Sequence, residues 1–65
     1  MIKVVYPGTF DPIARGHEDV VRRAAGVFGE IIVAVAESRE KTLFTLDERV
    51  EMSRVIFADF ANVRV

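Results

Sequence analysis

Cysteine and tryptophan are absent from the 65 residues, proline occurs twice and histidine once. Without cysteine there is no disulfide framework and no thiolate metal cluster, a usage that fits a reducing cytoplasm. Neither sign of charge dominates: nine Lys plus Arg stand against ten Asp plus Glu, a net charge of -1. Such a balance creates no field that would gather nucleic acid or an anionic membrane. Long apolar runs are lacking too. The longest, "IIVAVA" at residues 31–36, falls far short of the roughly 18 residues of a membrane span, and "MIKVVYPG" breaks at Pro7-Gly8 before it could form the apolar core of a signal peptide. The expectation is a cytoplasmic protein that engages neither membrane nor nucleic acid.

What is present is globular in character, with 51% hydrophobic and 29% charged residues, too apolar for a disordered segment. Size sets a constraint. Below about 70–80 residues a single core rarely supplies more than 3–5 kcal/mol, and small domains usually add disulfides or a metal. Neither staple is apparent, so the chain packs unusually well, associates, or belongs to something larger.

Ile2–Tyr6 is β-branched and aromatic and predicts a strand ended by Pro7-Gly8. Gly16 or His17 to Phe28 predicts a helix, with Val20, Val21, Ala24, Ala25, Val27 and Phe28 on one face and Glu18, Asp19, Arg22 and Arg23 on the other. Gly29 is placed to end it. "EIIVAVAES", starting at Glu30, predicts a second strand, whose continuous apolar run suggests burial on both faces, the habit of parallel sheets. After the polar loop "REKTLF", Thr45 and Glu48 form the T-x-x-E pattern of a capping box. The helix it opens carries a stripe of Leu46, Val50, Ser53, Phe57 and Phe60, flanked by Met52 and Ile56. Asn62 breaks it, and "VRV" begins a third strand. Alternation of this kind implies right-handed crossovers and an α/β fold: a Rossmann-like parallel sheet, the β-α-β-α-β half of a doubly wound domain.

In such sheets ligands bind beyond the carboxyl ends of the strands, near the first strand-to-helix turn. That turn, Pro7 to Gly16, is long. Gly8 would let the main chain approach a ligand, Thr9 offers a hydroxyl and an N–H, and Asp11-Pro12 fixes a bend. The N–H groups near Gly16 and His17 favour an anion. The same helix end disfavours a protonated imidazole, so His17 suits a neutral donor aimed at a phosphate. The residues alone favour a plain alternative, in which His17 caps a helix or lies at the surface, Gly8 serves the turn and Thr9 satisfies a local backbone group.

"YPGTFDPIARGHEDVVRRA", together with "FTLDERVEM" and "NVRV", resembles the N-terminal part of the bacterial phosphopantetheine adenylyltransferases, in the nucleotidyltransferase superfamily marked by T/H-x-G-H. Cytidylyltransferases and nicotinate-nucleotide adenylyltransferases share a G-x-F-D…G-H core, while Tyr6-Pro7 and "FTLDER" favour the phosphopantetheine branch. The resemblance covers the whole chain and implies transfer of AMP from ATP to 4'-phosphopantetheine, with Mg2+ accompanying ATP, giving dephospho-coenzyme A and pyrophosphate without a covalent enzyme intermediate. It implies His17 as the catalytic residue, with Thr9, Phe10, Gly16 and His17 at ATP and Thr9 and Lys41 at the pantetheine substrate. No residue is assigned to a metal, and a homohexamer is the family's assembly. From sequence alone Lys41 reads first as a solvated loop lysine.

Three departures stand out. The motif's first position is Ala14, which can donate nothing to a phosphate. The loop between Lys41 and Phe44 is one residue shorter than the usual pattern. The family's arginine-bearing "RGLR" and its "ISST" segment lie beyond the matched portion, so residues 1–65 are expected to form the N-terminal half of one truncated nucleotidyltransferase domain, weakly active or inactive alone. A non-catalytic nucleotide-phosphate-binding half-domain and a self-associating structural fragment are the alternatives.

Overall fold

A computed structural model of the chain describes residues 2–65. The elements run β1 (Lys3–Gly8), α1 (Arg15–Ala25), β2 (Glu30–Val35), α2 (Leu46–Ile56) and β3 (Val63–Arg64). The three strands form one parallel sheet in the order β1-β2-β3. Val4 pairs with Ile31 and Tyr6 with Val33, and Ile31 pairs in turn with Val63. The α/β architecture expected from the alternation is the one found.

The core lies on one face of the sheet. Ile31 and Val33 of β2 meet Val21 of α1, Phe57 at the end of α2, and Phe10 and Ile13 of the first loop, all buried. Both crossovers step in the same direction across the sheet, so right-handedness puts both helices on this same face. The opposite face is open: Val5 is 57% exposed, while Ile32 and Ala34 are only half-buried. The expectation that β2 would be buried on both faces is therefore corrected. Its apolar run is continuous, but among the described residues only one side has helices over it.

Element ends differ from the sequence reading for local reasons. β1 continues through Pro7 and Gly8. It is an edge strand, where an outward-facing proline costs no ladder hydrogen bond, and Gly8 still accepts from the Ala36 N–H at 2.8 Å. α1 starts at Arg15 and stops at Ala25 with Gly26 as its cap in a right-handed conformation, so Gly29 is not the terminator. The N–H groups of Gly29 and Glu30 both donate to the Ile2 carbonyl, and the chain must leave the helix early to reach that point. Val27, past the end of the helix, is exposed, and so is Val20 within it, whose neighbour Val21 is the buried residue of α1. α2 is capped as expected: Glu48 N–H donates to Thr45 Oγ1 at 3.2 Å and Thr45 N–H to Glu48 Oε1 at 2.9 Å. It ends at Ile56, and Phe60 packs from the following turn, its ring 6.1 Å from that of Phe57. Asn62, expected only to break the helix, donates from Nδ2 to the carbonyls of Ala25 at 2.8 Å and Phe28 at 3.3 Å, tying the exit of α1 to the start of β3.

Candidate functional site

The carboxyl ends of β1 and β2 carry two loops, residues 9–14 and 36–45. In the first, Phe10 adopts φ 50°, the left-handed region a bulky residue rarely enters. Its ring folds back beneath Gly8, where an added Cβ would lie 2.7 Å from one ring carbon and 2.9 Å from another. Gly8 is thus required by the packing of Phe10. It does not serve as a left-handed hinge, since no described glycine has positive φ.

The other side of the Phe10 ring supports His17, edge-on, with centroids 4.9 Å apart and planes at 86°. The Ala14 N–H donates to His17 Nδ1 at 3.0 Å. A ring nitrogen that accepts carries no proton, so the proton of the neutral ring sits on Nε2. The plain and the functional readings of His17 therefore use different atoms: Nδ1 caps the helix, and Nε2–H is left without a partner among the described residues. Ala14 is the N-cap residue and its methyl group accepts nothing. The first helical bond runs from Glu18 N–H to the Ala14 carbonyl at 3.0 Å, which leaves the N–H groups of Arg15, Gly16 and His17 without a partner among the described residues. Apart from its own helix backbone and chain neighbours, no described residue lies within 4 Å of the position a Gly16 Cβ would take. An anion fits such a helix end.

Thr9 is exposed at the same rim, and Lys41 is exposed on the second loop. Thr9 and Phe10 stand beside His17 and Gly16, the Phe10 ring 4.9 Å from that of His17, and Lys41 lies on the neighbouring loop, two residues before Leu43. The sequence reading missed what holds the loops together. Asp11, expected only to shape a bend, accepts the Leu43 N–H on Oδ2 at 2.6 Å and the Phe44 N–H on Oδ1 at 2.9 Å, and so pins the Lys41 loop to the Thr9 loop. Arg49, only 3% exposed, donates from Nη1 to the carbonyls of Thr9 at 2.8 Å and Ala36 at 2.9 Å, and from Nε to that of Phe44 at 3.2 Å. Its signal in the sequence is positional, since it stands four residues before Ser53 on the buried face of α2.

Residues 5–65 match the model of a family described as cytidylyltransferase-like. The chain belongs to the cytidylyltransferase-like family. Within it, the chain is 63% identical to a phosphopantetheine adenylyltransferase of Methylobacillus flagellatus, over 98% of this chain and 41% of that protein. Identity is 61% to the phosphopantetheine adenylyltransferase of Thiobacillus denitrificans and 59% to that of Nitrosospira multiformis, each over the whole chain and 41% and 40% of the relative. The chain thus spans about two fifths of the length of these relatives. The match to the Thiobacillus protein runs over 66 positions against the 65 residues here, so that relative carries at least one further residue along it. This member of the family has no helix long and apolar enough to cross a membrane among its described residues. Nor do the described residues bring three His, Asp or Glu side chains together in a way that could hold a metal ion.

Proposed function

We propose that this chain forms the ATP-phosphate corner of a pantetheine-phosphate adenylyltransferase, a cytoplasmic enzyme of coenzyme A biosynthesis. An oxygen of the acceptor phosphate on 4'-phosphopantetheine attacks the α-phosphorus of ATP, and the bond to pyrophosphate breaks as dephospho-coenzyme A forms. The observation that carries the reading is the split use of His17: with Nδ1 committed to Ala14, Nε2–H is oriented as a donor beside a helix end rich in free N–H groups. A donor so placed stabilises negative charge that builds on the phosphorus oxygens. Thr9, Phe10 and Gly16 hold ATP at the same corner, Thr9 also touches the acceptor, and Lys41 meets the acceptor's phosphate as a mobile point charge. Mg2+ enters this proposal as the ion that accompanies ATP. A homohexamer is the proposed assembly of the complete protein, with residues 1–65 as the N-terminal half of its single domain.

Because the chain spans two fifths of its relatives' length, these 65 residues are expected to bind ATP and to turn it over far more slowly than a complete relative. A non-catalytic phosphate-binding module is the second reading, favoured by that same coverage. Two variants test the site. In His17→Asn the side-chain oxygen takes the place of Nδ1 and the distal donor is lost. The fold is expected to persist while the amide shifts of residues 8–17 on adding MgATP weaken, and any turnover falls about 100–1,000-fold, the effect of removing one such donor. In His17→Gln a donor is kept near the Nε2 position and the ATP response is expected to survive better. Equal MgATP affinity in His17→Asn and the unmodified chain would rule out His17 as a phosphate ligand.

A further inference from the structure

Arg49 is a cation buried in a small domain with no carboxylate within ion-pair distance, since the ion pairs among the described residues are Arg22–Glu18, Arg23–Asp19 and Arg64–Glu30. Burying an unpaired charge is costly unless hydrogen bonds compensate it. Here three carbonyls do so, and two of them stand where the sheet delivers its loops: Thr9 just past β1 and Ala36 just past β2. In a trans peptide the carbonyl of one residue and the N–H of the next point in opposite directions, and both of these peptides are trans. A guanidinium that draws the Thr9 and Ala36 carbonyls inward therefore turns the N–H groups of Phe10 and Glu37 outward. Neither N–H meets an acceptor among the described residues.

We propose that Arg49 is a positioning residue that sets the Thr9–Phe10 peptide with its N–H toward the bound anion. It also holds Phe10 in the φ 50° conformation that seats its ring against His17. This rests on the reading of the corner as a nucleotide-phosphate site. Asp11 performs a separate task, since it grips Leu43 and Phe44 and leaves the Thr9–Phe10 peptide free. The guanidinium fork matters as much as its charge, because a lysine ammonium cannot span the carbonyls of Thr9, Ala36 and Phe44 in one fixed geometry.

The test uses the 15N-labelled 65-residue chain, its Arg49→Lys and Asp11→Asn variants, and MgATP as the probe. In Arg49→Lys the backbone coupling that reports the φ of Phe10 is expected to change without ligand. Kd for MgATP is expected to rise about 10-fold or more, as for the loss of one hydrogen bond to a charged group, while amides remote from the loops stay dispersed. Asp11→Asn is expected to disturb Leu43 and Phe44 and to leave the Phe10 coupling in place. An unchanged Phe10 coupling in Arg49→Lys, or a Kd within about twofold of the parent alongside a lowered Tm, would reduce Arg49 to a packing role. If the unmodified chain shows no amide shift at residues 8–17 with MgATP, the nucleotide reading fails by itself, and the ligand-free coupling still decides whether Arg49 holds the peptide. Should Arg49→Lys not fold, the guanidinium protons of the parent decide: slow exchange with a shift on adding MgATP supports the proposal, and signals unmoved while the Phe10 N–H shifts overturn it.

Discussion

Gly8 and Gly16 were both legible in the sequence as site positions, but the physical reason for the first was not. The reason lies three-dimensionally in Phe10, whose ring fills the space a Gly8 side chain would need. Gly8→Ala should therefore overpack the site, costing about 1–3 kcal/mol and displacing the ring that supports His17. Thermal unfolding, together with the ring-current shifts of the His17 protons, reads both effects. Gly16 has open space above it, so Gly16→Ala should leave the same signals in place and cost no stability. His17 was legible too, as a lone imidazole at a helix start. The division between Nδ1 and Nε2 was not, because it depends on where the Ala14 N–H points.

Among the elements, α2 followed the sequence reading most closely at its start and least closely along its inner face. T-x-x-E is a local pattern, and both of its hydrogen bonds form. Thr45→Ala should cost about 1 kcal/mol, a fall in Tm of about 4–8 °C in a domain of this size, measured by circular dichroism. Asp19→Asn on α1 removes an ion pair at 3.2 Å between well-exposed side chains and should change stability by less than about 0.5 kcal/mol. That contrast separates a cap from a decorated surface. The inner face of α2 was legible at Ser53 and Phe57 by periodicity, whereas Arg49 was passed over because its type argues against burial. Only the carbonyls converging on it, from segments up to 40 positions away in sequence, make the site hospitable to a cation. Long-range partners of that kind are invisible to periodicity.

The molecule as a whole is one-sided. Its accessible surface of 4724 Å² exceeds the roughly 4,200 Å² of a compact monomer of this mass, in keeping with a sheet that, among the described residues, has helices on a single face and no strand beyond β1. Exposed Ile2 and Val5 lie along that edge strand or at its start, a template for pairing with another chain. The 65-residue chain is expected to associate with rising concentration, and Val5→Lys to reduce association without changing the fold, as sedimentation would report. The strand order was legible in outline from the alternation of elements. The bare face was not, because an apolar run in β2 does not say what will cover it. The latches at the site join residues 32, 33 and 40 positions apart in a chain only 65 long. Closing loops that wide costs chain entropy and slows folding, so the latches that join the Thr9 and Lys41 loops form only with the tertiary structure. Under the proposed reading, ATP at a hundred times its Kd would stabilise the folded chain by about 2.7 kcal/mol, a large share of what so small a core can supply.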